Sequence, residues 1–237
     1  MKKILIIGAS SGIGREIALI YARSGHRVAI TGRRVDLLRQ VHDQYPDNII
    51  FAWHDIRRAD SRDVMSGLIE SLDGLDLMII SAGIGFINKE LKWNPEQQTI
   101  NTNVSGFSNA AGFGYDFFSK QGHGHIAGIS SIAGIRGIDA CPAYSASKAY
   151  DLTYLEALRR KAKKSGANIT VTSILPGFVD TAMAKGPVLF WVAKPGKAAQ
   201  QIVNALERKK PIVYVTKRWR VIAALLRMLP NWVYNRI

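Results

Sequence analysis

A tyrosine and a lysine stand four positions apart in the stretch Tyr144-Ser-Ala-Ser-Lys148. On a helix, this spacing places both side chains on the same face. A lysine cation beside a phenol favours the ionised phenolate, so the pair could exchange a proton with a substrate oxygen near neutral pH. The same spacing is also common in surface pairs of helices. A third group is therefore needed before the pair indicates catalysis.

Ser131 supplies such a group, thirteen positions before Tyr144. It directly follows the apolar run from Ile126 to Ser130, which predicts a strand of a parallel sheet. Ligands of such sheets bind at the carboxyl ends of the strands. The serine, tyrosine and lysine together could exchange protons with an oxygen atom of a ligand bound at this edge.

A glycine-rich turn follows the first apolar run of the chain. Its sequence is Gly8-Ala-Ser10-Ser11-Gly12-Ile13-Gly14, with a predicted strand before it and a helix after it. Glycines at this spacing allow a tight turn, close approach of the backbone to a pyrophosphate and close packing of helix on strand. An ordinary strand-to-helix turn is the alternative, but the context favours dinucleotide binding. A Walker loop is excluded as a close match because no Gly-Lys-Ser/Thr follows.

The residues after the second predicted strand bear on the choice of dinucleotide. NAD-binding folds usually place an acidic side chain here for the ribose 2′-hydroxyl, whereas this chain has Gly32-Arg33-Arg34. A guanidinium can pair with the 2′-phosphate of NADP. The sequence therefore favours NADP(H) over NAD(H). We assign the phosphate contact first to Arg33 and second to Arg34. The alternative is that these arginines cap or solvate the next helix.

The apolar runs that position these residues alternate with helix-length segments. Near-continuous apolar strands suit a parallel sheet that is buried on both faces. We predict an α/β, doubly wound Rossmann-type sandwich with a seven-stranded parallel sheet, forming a single domain over 1–237. The predicted strands are Lys3 to Ile7, Val28 to Thr31, Ile49 to Trp53, Leu77 to Ile80, Ile126 to Ser130, Ile169 to Leu175 and Ile212 to Val215.

Taken together, these motifs resemble the short-chain dehydrogenase/reductase family over residues 3 to about 215. The resemblance implies that Tyr144 donates the proton, Ser131 binds the reacting oxygen and Lys148 binds the nicotinamide ribose. It also implies that Asn103, favoured over Asn101, lies at a helix kink that holds a water of the proton relay. The implied catalytic residues are Asn103, Ser131, Tyr144 and Lys148. The implied cofactor-binding residues are Gly8, Ser10, Ser11, Gly12, Ile13, Gly14, Arg33, Asp55, Ser81, Ala82, Gly83, Tyr144, Lys148, Pro176, Gly177, Val179 and Thr181.

Charge and composition bear on the partners, the cellular compartment and the metal content of the protein. The net charge is +14, and no acidic residue follows Glu207. No nucleic-acid-binding motif accompanies this charge, so we expect no nucleic-acid partner. A lone Cys141 and the lack of a secretory signal favour the reducing cytoplasm. We expect no metal site, and we interpret His123-Gly-His125 as a surface turn before a strand.

Two segments should set the substrate. The apolar stretch within 185–195, with Phe190-Trp191, is predicted to be a lid over an apolar or amphipathic small-molecule substrate. The segment 217–237 combines basic residues with apolar residues at helical spacing and with Trp232. Such a helix could contact a membrane surface peripherally, at the inner face. It could equally contact another subunit of a homodimer or homotetramer, or cover the substrate cleft.

Reversible carbonyl reduction with NADPH is the leading prediction for the function. One alternative is a catalytically silent NADP-binding regulatory protein, although the tyrosine-lysine pair is intact. Another is a peripheral membrane enzyme that acts on a lipid-linked substrate.

Overall fold

The computed structural model describes residues 1–182 and 190–236 of the chain. Its centre is a seven-stranded sheet in the order β3-β2-β1-β4-β5-β6-β7, and every neighbouring pair is parallel. The strands are β1 (Lys3–Ile7), β2 (Arg27–Gly32), β3 (Ile49–Trp53), β4 (Leu77–Ile80), β5 (His123–Ile129), β6 (Asn168–Pro176) and β7 (Ile212–Val215). The predicted doubly wound α/β fold is confirmed.

Helices cover both faces of this sheet. They are α1 (Gly12–Arg23), α2 (Val35–His42), α3 (Ser61–Leu72), α4 (Trp93–Ile100), α5 (Phe107–Gln121), α6 (Pro142–Ser165), α7 (Pro195–Glu207), α8 (Trp219–Met228) and α9 (Asn231–Tyr234). Strand β1 shows how the layers form. Ile4 and Ile6 enter one core, whereas Leu5 and Ile7 enter the other. Because successive side chains of a strand point to opposite faces, a continuous apolar run is what such a strand requires.

The strand order reverses beside β1, which lies between β2 and β4. Doubly wound folds bind their ligands at this switch point, outside the carboxyl ends of the strands. The glycine-rich turn after β1 and the residues after β4 and β5 therefore meet at one edge of the sheet.

The region around His123 differs from its prediction. Helix α5 ends at Gln121, the following Gly122 has a φ of +86°, and β5 begins directly at His123. His125 is buried in the strand and shares a 2.8 Å hydrogen bond with Thr172 Oγ1. Burial lowers the pKa of His125 to about 4. The predicted surface turn at His123-Gly-His125 is therefore wrong, because this part of the chain pairs with β6.

A π-helical turn at Asn101–Gly106 separates α4 from α5. The three pieces follow one another without a break from Trp93 to Gln121. Such wider turns occur mostly as single interruptions of α-helices and are frequent at functional sites. This one carries Asn103.

The C-terminal helices add a third, smaller core. Trp219 and Ala223 of α8 are buried against Ile132 and Leu175, at the carboxyl ends of β5 and β6. Helix α8 therefore closes one side of the edge at which the candidate site lies.

Candidate active site

The glycine turn has no room for side chains at two of its positions. Gly8 has a φ of +90°, and a Cβ there would lie 2.5 Å from the backbone nitrogen of Ala82. A Cβ on Gly14 would lie 2.3 Å from the carbonyl oxygen of Gly8. The turn therefore packs directly on the end of β4 and on the start of α1, and it presents backbone to the crevice.

The start of α1 suits an anion. Ser11 precedes the helix without bonding its amides through the side chain, and the first turn holds no acidic residue. Unbonded amides and the positive end of the helix dipole attract phosphate groups.

An arginine lies over this turn. Arg34 Nη2 donates to Ser10 Oγ at 2.8 Å and to Ser11 Oγ at 2.7 Å. Arg33 is exposed, and its charge helps to lower the pKa of Asp55, after the larger effects of Arg57. Of the two arginines, the one in contact with the glycine turn is thus Arg34, which sequence reasoning ranked second.

Asp55 is already engaged within the protein. Arg57 Nε donates to its Oδ1 at 2.9 Å, and the hydrogen bonds from Arg57 hold the pKa of this carboxyl below its usual range. A ligand amine would share a carboxylate that the arginine also holds.

Lys148 is buried in α6, and its ammonium group is held by two partners. Its Nζ donates to the Ile129 carbonyl at 3.0 Å and to Asp151 Oδ2 at 2.9 Å. An ammonium group has three N–H donors, so within the described residues the third remains available to a ligand. A Cβ on Gly83 would lie 3.5 Å from this Nζ. The end of β4 therefore reaches Lys148.

Asn103 connects the loop after β4 with α6. Its Oδ1 accepts a hydrogen bond from the backbone N–H of Ile84 at 2.9 Å, and its Nδ2 donates to Ser147 Oγ at 2.9 Å. Asn103 is buried, whereas Asn101 is exposed at the start of the π-helical turn. The structure thus brings the asparagine favoured by the sequence to the same place as Lys148.

Ser131 lies on a loop that packs against α6. The neighbouring Ser130 donates its hydroxyl proton to the Lys148 carbonyl at 2.6 Å. Ser131 Oγ accepts a bond from the Ala133 backbone N–H at 3.1 Å, which leaves its own proton for a ligand oxygen within the described structure. A Cβ on Gly134 would lie 2.5 Å from the carbonyl carbon of Lys148. The loop that carries Ser131 therefore packs directly against the backbone of Lys148.

Tyr144 is half-buried at the start of α6, one turn before Lys148. Its ring lies over Gly85, where an added Cβ would be 2.7 Å from Cδ2. After burial and Asp151, Tyr144 is the next influence on the pKa of Lys148, so the two groups are close enough to interact electrostatically.

The residues after β6 return to the glycine turn. A Cβ on Gly12 would lie 3.2 Å from Thr181 Cγ2. Val179 pairs with Ala193, and the Asp180 N–H donates to the Ala193 carbonyl at 2.9 Å. The stretch that begins at Pro176-Gly177 therefore spans from the catalytic edge to the glycine turn.

Four aromatic rings form a cluster beside this stretch. Phe178 and Phe190 both pack on Trp219, with ring centroids 5.4 Å and 5.1 Å away, and the Trp191 centroid lies 6.1 Å from that of Trp219. Phe190 and Trp191 are about half exposed. Residues 185–189 of the predicted lid lie outside the described residues, so the cluster contains only its later part.

Helices α8 and α9 dock beside the serine loop. Arg136 Nη2 donates to Asn231 Oδ1 at 2.9 Å, and the Tyr234 hydroxyl donates to the Gly137 carbonyl at 2.7 Å. The Arg136 guanidinium also lies 4.4 Å from the centre of the Tyr234 ring. The inner face of this segment therefore packs on the loop that follows β5.

Sequence reasoning missed Asp151 and Trp219. Each had a signal: Asp151 stands at i+3 from the lysine, a spacing that places both on one helix face, and Trp219 lies near the start of an amphipathic segment. Neither signal shows which side chain is buried until the packing is known. No cluster of three or more histidine, cysteine, aspartate and glutamate side chains with metal-binding geometry occurs in the described parts of the chain.

Comparison with known proteins identifies the family of the chain. The family model of the short chain dehydrogenases matches residues 2–188. An uncharacterized oxidoreductase of Myxococcus xanthus is 36% identical over 240 residues, covering 98% of this chain and 94% of that protein. One from Mycobacterium tuberculosis is 32% identical over 243 residues, covering 98% of this chain and 93% of its own length.

Solved structures share the fold at lower identity. A serine dehydrogenase complexed with NADP⁺ superposes with a TM-score of 0.80 at 22% identity, covering 90% of this chain and 93% of that one. A short-chain dehydrogenase from Sphingobium yanoikuyae in complex with NADPH gives 0.80 at 22% identity, covering 94% and 93%. The chain belongs to the short-chain dehydrogenase family, and it is an oxidoreductase that acts on a small molecule with a nucleotide cofactor.

None of the helices in the described residues is both long enough and apolar enough to span a bilayer.

Proposed function

We propose that this protein reversibly transfers a hydride between NADP(H) and a carbonyl or alcohol carbon of an apolar or amphipathic substrate. The observation that carries the proposal is the meeting of Lys148, Asn103 and Gly83 beside Tyr144 at the edge that also holds the glycine turn. Acid-base groups and an anion-binding turn at one edge suit a dinucleotide oxidoreductase better than a silent binding protein.

The residues of the crevice fit the cofactor. The turn around Gly8 and Gly14 is a cradle that a Cβ would fill, and such a surface allows a pyrophosphate to approach the backbone. In our proposal, the amides at Ser10, Ser11, Gly12 and Ile13 bind the pyrophosphate. Asp55 and the stretch Ser81-Ala82-Gly83 take the adenosine, and Pro176, Gly177, Val179 and Thr181 enclose the nicotinamide. When bound, the nicotinamide supplies or accepts the hydride.

The preference for NADP(H) rests on Arg33 and Arg34. Both side chains are exposed, and Arg34 contacts two hydroxyls of the glycine turn. We assign the 2′-phosphate to both guanidinium groups, since planar bidentate donors match phosphate oxygens well.

In the reductive direction, Tyr144 donates its phenolic proton to the substrate oxygen. Ser131 donates a hydrogen bond to the same oxygen and stabilises the charge that develops there. Lys148 binds the ribose hydroxyls through its remaining N–H and holds a positive charge near the phenol. Asn103 fixes the π-helical turn to α6 and supports the water chain that returns a proton to the tyrosine.

The aromatic cluster of Phe178, Phe190, Trp191 and Trp219 supports an apolar or amphipathic substrate. The half-exposed rings of Phe190 and Trp191 gain free energy when a ligand covers them. In our proposal, the segment 185–195 acts as a lid over the substrate, and Phe190 and Trp191 belong to the part of it that the structure describes.

A substrate panel tests the proposal. Purified protein is given NADPH or NADH with ketones and aldehydes of increasing hydrophobicity, and the loss of cofactor absorbance is followed. We expect turnover of apolar carbonyls with NADPH, and its loss in Tyr144→Phe with cofactor binding retained. NADPH binding without turnover of any carbonyl or alcohol would instead support the silent regulatory protein.

A second candidate is enzyme action at a membrane surface, and the outer face of α8 and α9 favours it. Val221, Leu225, Met228 and Trp232 form an apolar stripe, and each of these side chains is between 58% and 81% exposed. Cations flank the stripe: Lys217, Arg218, Arg220, Arg227 and Arg236. An amphipathic helix with this composition binds anionic lipid surfaces. We propose peripheral contact of 217–237 with the inner face of a membrane, which would suit a lipid-linked substrate.

Vesicle sedimentation tests this contact. The paired change Leu225→Gln and Met228→Gln removes apolar area without touching the buried Trp219. We expect it to abolish binding to vesicles that contain phosphatidylglycerol. Trp93→Gln is the matched control, because it changes an exposed aromatic residue on a different helix, α4. This variant should bind like the unchanged protein. Equal binding of all three proteins would refute the membrane contact.

We further propose that 1–237 forms one catalytic domain that assembles as a homodimer or homotetramer in the cytoplasm. The partly exposed Tyr150, stacked on Tyr154 with centroids 5.6 Å apart, supports a subunit contact on α6. Sedimentation velocity checks the assembly, and a monomer at micromolar concentration would contradict it.

A further inference from the structure

A fully buried carboxylate lies one turn beyond Lys148 on the same face of α6. Asp151 is 0% exposed, and its Oδ2 accepts the hydrogen bond from Lys148 Nζ at 2.9 Å. Its Oδ1 has no hydrogen-bond partner in the described part of the chain. A buried carboxylate with an unpaired oxygen costs free energy, so packing alone would favour an apolar residue here.

The surroundings of Lys148 show what this carboxylate does. Lys148 is only 4% exposed. Burial is the largest influence on its pKa and lowers it, but the electrostatic effects of Asp151 and then Tyr144, and the hydrogen bond that Lys148 donates to Asp151, outweigh burial and leave the pKa raised. Three other elements face the Lys148 side chain with uncharged groups. The loop after β4 contributes Gly83, the π-helical turn contributes Asn103, and β5 contributes the Ile129 carbonyl. Among the described residues, Asp151 is thus the carboxylate that compensates the buried ammonium.

The geometry points to Asp151 as a positioning residue, which keeps Lys148 protonated and directs its remaining N–H toward the cofactor. This inference rests on the proposed role of Lys148 at the nicotinamide ribose. It adds a second buried charge to the serine, tyrosine, lysine and asparagine set that the sequence identifies. Burial raises the pKa of Asp151 to about 6. The 2.9 Å ion pair with Lys148 opposes this rise, so the carboxylate can serve as the counter-ion.

The variant Asp151→Asn tests the negative charge of this side chain separately from its shape. The amide keeps the volume of the side chain and an oxygen that can accept from Lys148 Nζ, but it removes the negative charge. A buried lysine without its counter-ion loses its proton more easily, by about one to three pH units. We therefore expect the pH above which NADPH affinity falls to decrease by about one to three units. Asp151→Glu should restore the original profile.

NADPH fluorescence titrations across pH measure this shift. Glu156→Gln is the matched control, because it removes one charge from an exposed position of the same helix. Its profile should coincide with that of the unchanged protein. A profile of folded Asp151→Asn that also coincides with the unchanged protein would overturn the inference.

A second readout needs no cofactor and follows the lysine in the unchanged protein. Carbon-13 labels at lysine Cε report the ionisation of Lys148 in the unchanged protein, with the signal assigned through Lys148→Arg. We expect Lys148 to remain charged at least to the pH at which exposed lysines titrate. Titration clearly below them would refute the role of Asp151. Absence of NADPH binding at every pH, with the lysine signal as expected, would instead contradict the proposed function alone.

Discussion

Replacing Gly8 with alanine tests the architecture of the glycine turn. The new Cβ would lie 2.5 Å from the Ala82 backbone nitrogen and 2.6 Å from its Cα, at a φ of +90°. The left-handed conformation costs an L-residue about 1 to 2 kcal/mol. Overpacking against backbone adds about 1 to 3 kcal/mol. We therefore expect Gly8→Ala to lower the free energy of unfolding by roughly 2 to 5 kcal/mol.

Gly25→Ala is the control for backbone strain. Gly25 has a φ of +77°, and a Cβ at this position would meet no heavy atom within 4 Å. This variant should lose only about 1 to 2 kcal/mol and should keep its affinity for NADPH. Gly8→Ala should in addition lose NADPH affinity, because the turn must move away from β4.

Urea unfolding followed by tryptophan fluorescence gives the stability of both variants, and NADPH titration gives their affinity. The reasoning would be refuted by a Gly8→Ala protein that is as stable as Gly25→Ala and binds NADPH equally well. Equal loss of affinity in both variants would also refute it, because Gly25 lies far from the proposed crevice in sequence and faces open space.

Other parts of the molecule give three further tests. Arg34→Ala should weaken NADPH binding by about 10- to 100-fold, given the strength of charged hydrogen bonds, with a smaller effect from Arg33→Ala. NADH binding should hardly change, as fluorescence titration with both cofactors will show. His125, with its pKa lowered to about 4 by burial, should contribute stability above pH 6.5 that is lost as the pH falls toward 4. This loss amounts to about 2 to 3 kcal/mol, and urea unfolding of His125→Gln across this range should show a weaker acid sensitivity. Gly177→Ala should displace α8, because its Cβ would lie 1.9 Å from Trp219 Cε2. Protease cleavage within 217–237 should then be faster than in the unchanged protein.

The sheet could be predicted from sequence because both of its faces are buried. Each strand then needs a continuous apolar run, as in Leu77–Ile80, and such runs are visible without a structure. The beginning of β5 could not be predicted in this way. His123-Gly-His125 is polar, and it joins the sheet because the adjacent β6 supplies hydrogen-bond partners from Asn168 onward.

The motif residues of the site could be located because their spacing is local. Tyr144 and Lys148 share a helix, and Gly8, Gly12 and Gly14 share a turn. Contacts between distant segments could not be predicted from such spacing. Whether Arg33 or Arg34 reaches the glycine turn depends on the course of the chain after β2, and the burial of Asp151 depends on how α6 packs on β5.

A single turnover with deuterium at the transferring C4 position of NADPH tests the central claim most directly. Enzyme in excess over labelled cofactor is mixed with the best carbonyl from the panel, and the product is analysed by mass spectrometry. We predict deuterium on the carbinol carbon with the unchanged protein, and almost no product with Tyr144→Phe at equal occupancy by cofactor. Equal product from Tyr144→Phe, or an alcohol that carries no label, would contradict the account.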